Sequence, residues 1–252
     1  MTDIDGAKDR AARAAAAIVE NGMTVGLGSG TTSSLVIRCL GERIDREGLS
    51  IIGTASSEAS SELASSVGIQ LVDLDRLSTL DVDLDGADEV DPHFEMIKGR
   101  GGALLREKIV ASVARRRVIV VIADKLVPRL GTKAPVPVEV SKFGLTHIEN
   151  RIRDMGATTA VRLRSDGAPF STDGGNAIVD CTFPPIADAE ALDRALRQIV
   201  GVFETGIFLG LCDLLVVGHA DRVETHDKLS VGSLRAGSLD LPPSPHPFHV
   251  EP

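Results

Sequence analysis

Residues 23–44 read MTVGLGSGTTSSLVIRCLGERI, and this stretch determines the fold class. A short apolar run typical of a buried strand comes first, and a glycine-rich turn follows it. Hydroxyl side chains that can cap a helix then precede apolar residues at helical spacing, and the helix is predicted to end near Gly48. The order strand, glycine turn, helix is typical of a parallel sheet covered by helices.

The same alternation continues through the first half of the chain. It predicts an α/β fold with a mostly parallel Rossmann-like sheet flanked by helices, in which ligands bind at the carboxyl ends of the strands. Further strands are predicted in residues 49–56, 69–74, 79–88 and 117–124. Further helices are predicted in residues 7–20, which stop at Asn21-Gly22, and in residues 57–68 and 101–116.

The second half of the chain predicts a smaller α+β unit inserted into the first domain. Helical patterns in residues 147–157 and 188–201 alternate with strand-like runs in residues 159–164 and 177–183. Residues 206–227 then return to the first sheet. We therefore expect a catalytic domain of residues 1–133 and 209–235 and a small domain of residues 134–208. Residues 236–252 are rich in Pro and Ser, and we expect a disordered tail.

Composition excludes several classes of protein. The formal net charge of −9 argues against nonspecific nucleic-acid binding, so an anionic ligand needs a local basic site. Three separated cysteines, Cys39, Cys181 and Cys212, form no disulfide framework and no standard zinc site, which favours a reducing cytoplasm. The acidic first residues lack the apolar core of a signal peptide, and Asp213 interrupts the longest apolar run near the C-terminus. We therefore expect a soluble protein without a membrane partner.

The glycine turn GLGSGTTS, residues 26–33, lies where a helix N-terminus can bind a phosphate. It is neither a dinucleotide fingerprint, because the third glycine falls on Thr31 or Ser33, nor a P-loop, because no Gly-Lys-Ser/Thr follows. Ser29, Thr31 and Thr32 offer hydroxyl groups suited to a small monophosphate. A tight turn with an ordinary helix cap explains the same stretch equally well.

The acidic stretch DVDLDGADEVDP, residues 81–92, resembles the start of an EF-hand calcium loop. The resemblance ends at its eighth and twelfth positions, where Asp88 and Pro92 replace the apolar residue and the bidentate Glu of that loop. Alternation with Val82 and Leu84 instead indicates a strand, with Asp85 at its carboxyl end and Asp88 on the turn beyond. Two carboxylates there suit acid–base work on a sugar, and a solvated acidic loop remains the alternative.

The stretch MIKGRGGALLREKI, residues 96–109, supplies a cation and a further acid. Lys98 precedes a glycine-rich loop, where a ligand can approach the backbone closely. Glu107 lies about one turn into the following helix, where it could also be a surface residue beside Arg106 and Lys108. A carboxylate that faces a lysine across a cleft is the pairing needed to move a proton α to a carbonyl.

These motifs occur together, in order and at similar spacing, in a known family. GLGSGTTS, DLDGADEVD, IKGRGGALLREKI and ADKLV followed by PVPVEV resemble the ribose-5-phosphate isomerase type A family, and DGGNAIVDC and GVFETGIF extend the likeness through most of the chain. Arg100 departs from the family, because it interrupts a run that is often all glycine. No counterpart of the C-terminal tail is expected there.

The resemblance implies roles for individual residues. Glu107 matches the proton-shuttling base, Asp85 and Asp88 match the acidic pair, and Lys98 matches the lysine of the glycine loop. The remaining matches belong to substrate binding: Ser29, Gly30, Thr31, Thr32, Gly86, Ala87, Gly99, Arg100, Gly101 and, for the phosphate end, Lys125 and Lys8.

The resemblance also implies an activity and an assembly. We expect an aldose–ketose isomerase that interconverts ribose 5-phosphate and ribulose 5-phosphate in the pentose phosphate pathway through a cis-enediolate, without a metal or other cofactor. A homodimer or homotetramer is implied as well. Two alternatives remain open from the residues alone, namely a sugar-phosphate sensor that binds without turnover and an isomerase or lactonase that acts on a hexose phosphate.

Overall fold

The computed structural model of the chain describes residues 3–228, and the predicted tail, residues 236–252, lies outside this range. The helices are α1 (Asp3–Ala16), α2 (Thr31–Glu47), α3 (Glu58–Ser66), α4 (Leu104–Val113), α5 (Leu145–Arg153) and α6 (Ala189–Arg197). The strands are β1 (Thr24–Leu27), β2 (Ile52–Ala55), β3 (Gln70–Leu71), β4 (Val82–Gly86), β5 (Glu89–Val90), β6 (Met96–Ile97), β7 (Arg117–Ile122), β8 (Val136–Val140), β9 (Thr158–Val161), β10 (Ala177–Thr182), β11 (Val202–Thr205), β12 (Ile207–Phe208), β13 (Leu214–Gly218) and β14 (Val223–Asp227).

A seven-stranded sheet forms the first layer of the molecule, in the order β14-β13-β7-β4-β1-β2-β3. Every neighbouring pair is parallel except β13 and β14, so the predicted α/β fold with a mostly parallel sheet is confirmed. The strand order reverses between β1 and β4, because β2 and β3 extend the sheet on one side while β7 and β13 extend it on the other. Ligand clefts form at such a reversal, outside the carboxyl ends of the strands.

Small side chains make up much of the core of this sheet. One face of the sheet packs on α1 and α2 through alanines of α1 and through branched residues such as Val36, Ile37 and Leu40 of α2. Leu27 of β1 and Leu84 of β4 complete this layer and are about 1% exposed. Buried parallel strands are expected to be rich in such aliphatic residues.

A second sheet of four antiparallel strands has the order β11-β8-β10-β9 and packs with α5 and α6. Residues of β8 and β10 such as Val138, Val140 and Val179 are fully buried between this sheet and its helices. After β11 the chain returns to the first sheet, where β13 pairs with β7 and β14 completes the edge. The division into domains at residues 134 and 208 stays a prediction.

A three-stranded sheet of two-residue strands, in the order β12-β6-β5, joins the two larger sheets. It was not predicted from the sequence. The sheet positions Lys98, which directly follows β6. The backbone N–H of Lys98 donates to the carbonyl of Gly206, the residue just before β12.

Several predicted element boundaries were wrong, and those of α1 and β3 have a clear local cause. Helix α1 covers Asp3–Ala16 rather than residues 7–20, and the chain then tightens into i to i+3 hydrogen bonds at Ile18 and Val19. Strand β3 is limited to Gln70–Leu71, because a 3-10 turn at Leu74–Arg76 follows it closely.

Candidate active site

A cleft of about 460 Å³ lies at the carboxyl ends of β1, β4 and β7. The predicted site residues converge there from six separate segments of the chain. They are Lys8, Ser29, Gly30, Thr31, Thr32, Gly86, Ala87, Asp88, Lys98, Gly99, Arg100, Gly101, Glu107 and Lys125, and Val121 and Ile122 complete the lining. Asp85 is the one predicted site residue outside this lining.

Gly26 of β1 and Gly28 just after it leave the space that Asp83 and Asp85 of β4 occupy. Gly26 pairs in register with Asp83, and both aspartates project to the same face of the sheet because residues two apart in a strand do so. A Cβ atom on Gly26 would lie 2.6 Å from Asp83 Oδ1, and one on Gly28 would lie 2.0 Å from Asp85 Oδ1. Glycine is therefore required at these two positions for steric reasons.

Asp85 lies beneath the cleft, 2% exposed, as the centre of a hydrogen-bond network. Its Oδ1 accepts from the Ser29 N–H at 3.1 Å, the Ser33 hydroxyl at 2.9 Å and the Gly86 N–H at 2.7 Å. Its Oδ2 accepts from Lys98 Nζ at 2.8 Å. The carboxylate is therefore fixed in place by four donors and in turn holds the amine of Lys98.

Lys98 is a buried cation, with a side chain 4% exposed. Its Nζ donates to Asp85 Oδ2 and to the carbonyl oxygen of Gly86, and it lies 5.3 Å from the centroid of the Phe208 ring. Burial lowers the pKa of Lys98, but the carboxylates of Asp85 and Glu107 outweigh burial and raise it overall. Lys98 is therefore a permanently charged group in the cleft wall.

Glu107 projects from the first turn of α4 into the cleft and is 3% exposed. Its Oε2 lies 3.6 Å from Lys98 Nζ, and within residues 3–228 this oxygen has no hydrogen-bond partner. Burial raises the pKa of Glu107 to about 8, the charge of Lys98 opposes that rise, and Asp85 adds to it. A carboxylate with an elevated pKa and a free oxygen can accept a proton from a bound molecule.

The glycine loop comprises residues 98–102, of which residues 98–101 line the cleft. Gly99 and Gly102 have φ angles of 104° and 87°, which side chains strongly disfavour. The N–H of Arg100 donates to Asp88 Oδ2 at 3.0 Å and so connects this loop to the acidic turn. Arg100, the departure from the family pattern, thus contributes its backbone to the cleft.

The other end of the cleft is suited to an anion. Helix α2 begins at Thr31 after Gly30, whose φ of 92° permits the sharp entry into the helix, so N–H groups of its first turn face the cleft. Lys8 and Lys125 are part of the same lining, and Lys8 Nζ lies 3.4 Å from Thr31 Oγ1. These groups together offer hydrogen-bond donors and positive charge to an anion.

The Ser29 hydroxyl differs from the sequence-based expectation of a free donor. It bonds to the hydroxyls of Ser56 and Ser57 at 2.9 and 2.8 Å, beside the start of α3. Ser29 lines the cleft, while its N–H is used by Asp85. Its side chain therefore stabilises the turn.

Asp83 is a buried acid near the site that the sequence analysis did not single out. It is 1% exposed, and burial together with the nearby charge of Asp85 raises its pKa to about 8. Its Oδ1 has no hydrogen-bond partner among the residues that the structure describes. Period-two alternation with Asp85 was the signal that could have identified it.

No group of three or more metal-ligating side chains occurs within residues 3–228. The three cysteines are buried and unpaired. None of the helices in the described part of the chain has the length and apolarity that a membrane crossing requires.

Comparison with known proteins identifies the family. A family model described as ribose 5-phosphate isomerase A (phosphoriboisomerase A) matches residues 52–222. The chain belongs to this family. The ribose-5-phosphate isomerase A of Thermomicrobium roseum is 48% identical over 213 residues, which cover 84% of this chain and 90% of that relative. The corresponding protein of Ruegeria pomeroyi is 42% identical over 98% of this chain and 97% of its own length. This match extends into residues 236–252, so the expectation that the tail has no counterpart in the family is wrong.

Solved structures of ribose-5-phosphate isomerases share the fold. The enzyme from Methanocaldococcus jannaschii superposes with a TM-score of 0.85 at 38% identity, covering 89% of this chain and 99% of that one. A D-ribose-5-phosphate isomerase in complex with phospho-erythronic acid superposes with a TM-score of 0.86 at 36% identity and the same coverage. The chain is thus a ribose-5-phosphate isomerase, an enzyme of sugar phosphate metabolism.

Proposed function

We propose that this chain interconverts D-ribose 5-phosphate and D-ribulose 5-phosphate by proton transfer between C2 and C1, with Glu107 as the base. The observation that carries the proposal is the free Oε2 of Glu107, which is buried in the cleft wall 3.6 Å from the Lys98 ammonium. A base and a cation at this separation can act on adjacent atoms of one small substrate. Family membership supports the identity of that substrate.

The phosphate of the substrate would bind at the N-terminus of α2. There the N–H groups of Thr31 and Thr32 and the charges of Lys8 and Lys125 meet in the cleft lining. Helix N-termini favour anions through their free N–H groups and their dipole. With the phosphate held there, the sugar would extend across the cleft toward Glu107.

Asp88 would assist the opening of the furanose ring. It lines the cleft, and its Oδ2 is oriented by the N–H of Arg100. Asp85 was expected to share this task, but it lies beneath Lys98 with four donors around its carboxylate. We therefore assign to Asp85 the narrower task of holding Lys98, and to Asp88 the contact with the substrate hydroxyl.

The isomerisation then proceeds by one proton shuttled between two carbons. The Glu107 carboxylate removes the proton from C2, the C2 electron pair forms a double bond to C1, and the carbonyl oxygen at C1 becomes the enediolate oxygen. Lys98 and N–H groups of the glycine loop would stabilise that negative charge. The O2 proton then passes to O1, Glu107 returns the carbon-derived proton to C1, and the product has a hydroxyl group at C1 and a ketone at C2. Glu107 is then a carboxylate again.

A solved structure of a related D-ribose-5-phosphate isomerase contains phospho-erythronic acid, which suggests this compound as a mimic of the enediolate intermediate. A phosphorylated sugar acid combines a phosphate with a planar, charged carboxylate, and the enediolate has the same two features. We expect the same compound to bind in the cleft of this chain and to compete with ribose 5-phosphate, because intermediate analogues bind where the transition-state contacts are made.

The experiment is an assay of ribose 5-phosphate turnover by purified protein treated with EDTA, with binding of phospho-erythronic acid measured on the same preparation. Formation of ribulose 5-phosphate, inhibited by the analogue, supports the proposal. Binding of ribose 5-phosphate without turnover would contradict it and would favour a sugar-phosphate sensor. Turnover of a hexose phosphate in preference to ribose 5-phosphate would contradict the assigned substrate.

Two further proposals follow. Family membership supports a homodimer or homotetramer, and the three unpaired cysteines support a location in a reducing cytoplasm. Sedimentation velocity on the purified protein tests the first, and a monomer across the concentration range would contradict it. Fractionation of cells that express the chain tests the second.

A further inference from the structure

Arg162, which follows β9 of the four-stranded sheet, reaches across to the glycine loop of the active site. Its Nη1 donates to the carbonyl oxygens of Gly99 at 2.8 Å and of Arg100 at 3.0 Å. Its Nε donates to Asp180 Oδ2 at 2.9 Å, and its Nη2 donates to Asp180 Oδ1. The Arg162 side chain is 13% exposed, so the guanidinium is held in one orientation.

The ring of Phe170 completes this contact. It lies 5.9 Å from the Arg162 guanidinium carbon, and it packs so closely on Gly102 that a Cβ there would lie 2.3 Å from the ring. The glycine loop is therefore held at both of its ends by residues of one neighbouring segment. Arg162, Phe170 and Asp180 themselves lie outside the cleft lining.

The hydrogen bonds from Arg162 to two carbonyl oxygens also determine where the N–H groups of the same peptide groups point. Among residues 3–228 no peptide bond is cis, so each N–H points opposite to the carbonyl of its own peptide group. The group with the Gly99 carbonyl carries the Arg100 N–H, which indeed points away and donates to Asp88 Oδ2. The group with the Arg100 carbonyl carries the Gly101 N–H.

The Gly101 N–H is available for a ligand. Gly101 lines the cleft, and within the described part of the chain its N–H donates no hydrogen bond. A charged donor on the carbonyl of a peptide group polarises that group and strengthens its N–H as a donor. Arg162 therefore both fixes this N–H and makes it a better partner for negative charge.

We propose that Arg162 is a positioning residue of this active site, which holds and polarises two peptide groups so that the Gly101 N–H donates to the enediolate oxygen. The inference rests on the proposed function. Arginine suits this role because two nitrogens of its planar guanidinium donate to Asp180 while the third donates to the loop carbonyls. The single amine of a lysine cannot hold both partners in this geometry. The Asp180 carboxylate balances the charge of Arg162, so the pair orients the loop without adding net charge to the cleft.

The test compares Arg162→Gln and Arg162→Lys with a matched control, Arg164→Gln. Arg164 lies two residues further along, has a side chain 58% exposed and pairs with the nearby Asp166. We expect Arg162→Gln to lower kcat for ribose 5-phosphate by about 10- to 100-fold, up to the cost of one lost oxyanion donor, with a smaller change in KM. Arg162→Lys recovers part of the loss, and Arg164→Gln behaves as the parent.

A structural role alone would give a different result. It would lower the thermal unfolding temperature of Arg162→Gln while kcat of the folded protein stays within about twofold of the parent, and that outcome overturns the inference. If Arg162→Gln does not fold, Asp180→Asn serves instead, because it keeps the guanidinium and weakens only its orientation. An unchanged kcat in a folded Asp180→Asn protein then counts against the inference.

A second readout is independent of turnover. In 15N-labelled parent protein, the amide signal of Gly101 should shift when phospho-erythronic acid is added, and the shift should be much smaller in Arg162→Gln. An equal shift in both proteins overturns the inference. If the parent does not convert ribose 5-phosphate but its Gly101 signal responds to the analogue in an Arg162-dependent way, the proposed function fails while the positioning role of Arg162 stands.

Discussion

The Nζ atom of Lys98 lies 3.6 Å from Oε2 of Glu107, and no hydrogen bond joins them, because Lys98 directs its donors to Asp85 and to the Gly86 carbonyl. The cation is thus held in place by Asp85, which lies beneath the cleft, and by a backbone carbonyl of the cleft wall. Glu107 keeps an oxygen free to accept a proton, and the positive charge beside it limits the rise of its pKa on burial. Glu107 as a base and Lys98 as a stabilising charge therefore lie side by side in the wall of one small cleft.

Removal of the cation should separate its catalytic role from its structural role. Lys98→Met leaves the Asp85 carboxylate buried without its cation, so we expect a loss of about 3–5 kcal/mol in the free energy of unfolding. We also expect kcat to fall by about 10²–10³-fold. The double variant Asp85→Asn with Lys98→Met should regain most of the stability, because the unpaired charge is gone, while kcat stays low. Urea unfolding and steady-state kinetics measure the two effects.

Recovery of kcat together with stability in the double variant would contradict this account, since Lys98 would then act only as a partner for Asp85.

The pH dependence of turnover should report the ionisation of Glu107. Burial raises the pKa of Glu107 from 4.5 to about 8, and the base works only when it is ionised. We therefore expect kcat to rise with pH along a limb whose apparent pKa lies well above 4.5. Measurement of kcat at saturating substrate avoids the effect of phosphate ionisation on binding. A limb centred near 4.5 would show that the buried environment does not control the base.

The buried acid Asp83 should make the protein less stable as the pH rises. In the unfolded chain its carboxyl loses its proton near pH 3.8, whereas in the folded protein burial keeps it protonated up to about pH 8. Between these values the native state binds more protons than the unfolded state, so stability falls with increasing pH. Asp83→Asn removes this contribution and should make the decline shallower by up to about 1.4 kcal/mol per pH unit.

Urea unfolding at several pH values between 4 and 8 measures the slope for Asp83→Asn and for the exposed control Asp75→Asn. Equal slopes in Asp83→Asn and the parent would show that Asp83 is already ionised in the folded protein.

The packing of Gly28 against Asp85 gives a steric prediction. An added methyl group would lie 2.0 Å from Asp85 Oδ1, so Gly28→Ala must displace the carboxylate and with it the amine of Lys98. Misplacement of a catalytic group by about 1 Å costs about 10²-fold in rate, and we expect a loss of that order in kcat. Gly6→Ala is the control, because its new methyl group meets only the flexible end of Arg10. Normal turnover by a folded Gly28→Ala protein would show that Asp85 is not needed where it lies.

The sequence predicted those parts of the fold that depend on local patterns. The glycine turn at Gly28 and Gly30, the stop of α2 at Gly48 and the parallel sheet follow from residue order and periodicity. The small sheet formed by β5, β6 and β12 was not predicted, because strands of two residues have no measurable periodicity. The start of α1 was also missed, because local propensity does not define a helix terminus.

The site was predicted to the extent that it is built from contiguous motifs. All fifteen predicted residues lie in or directly beneath the cleft. Asp85 was expected to line the cleft, but the alternation of β4 and the gap left by Gly28 place it underneath. Arg162 could not be found from the sequence, since it acts through carbonyl oxygens of the backbone about 60 residues away and the loop sequence carries no sign of that contact.

The central claim is that Glu107 moves the proton, and the turnover of ribose 5-phosphate by Glu107→Gln tests it most directly. Gln keeps the shape of the side chain but cannot act as a base, so we expect kcat to fall by about 10²–10⁴-fold without loss of folded structure. Glu139→Gln is the matched control, because Glu139 is also buried but lies outside the cleft lining. A collapse of turnover in Glu107→Gln alone is the predicted result, and near-normal turnover by a folded Glu107→Gln protein would contradict the account.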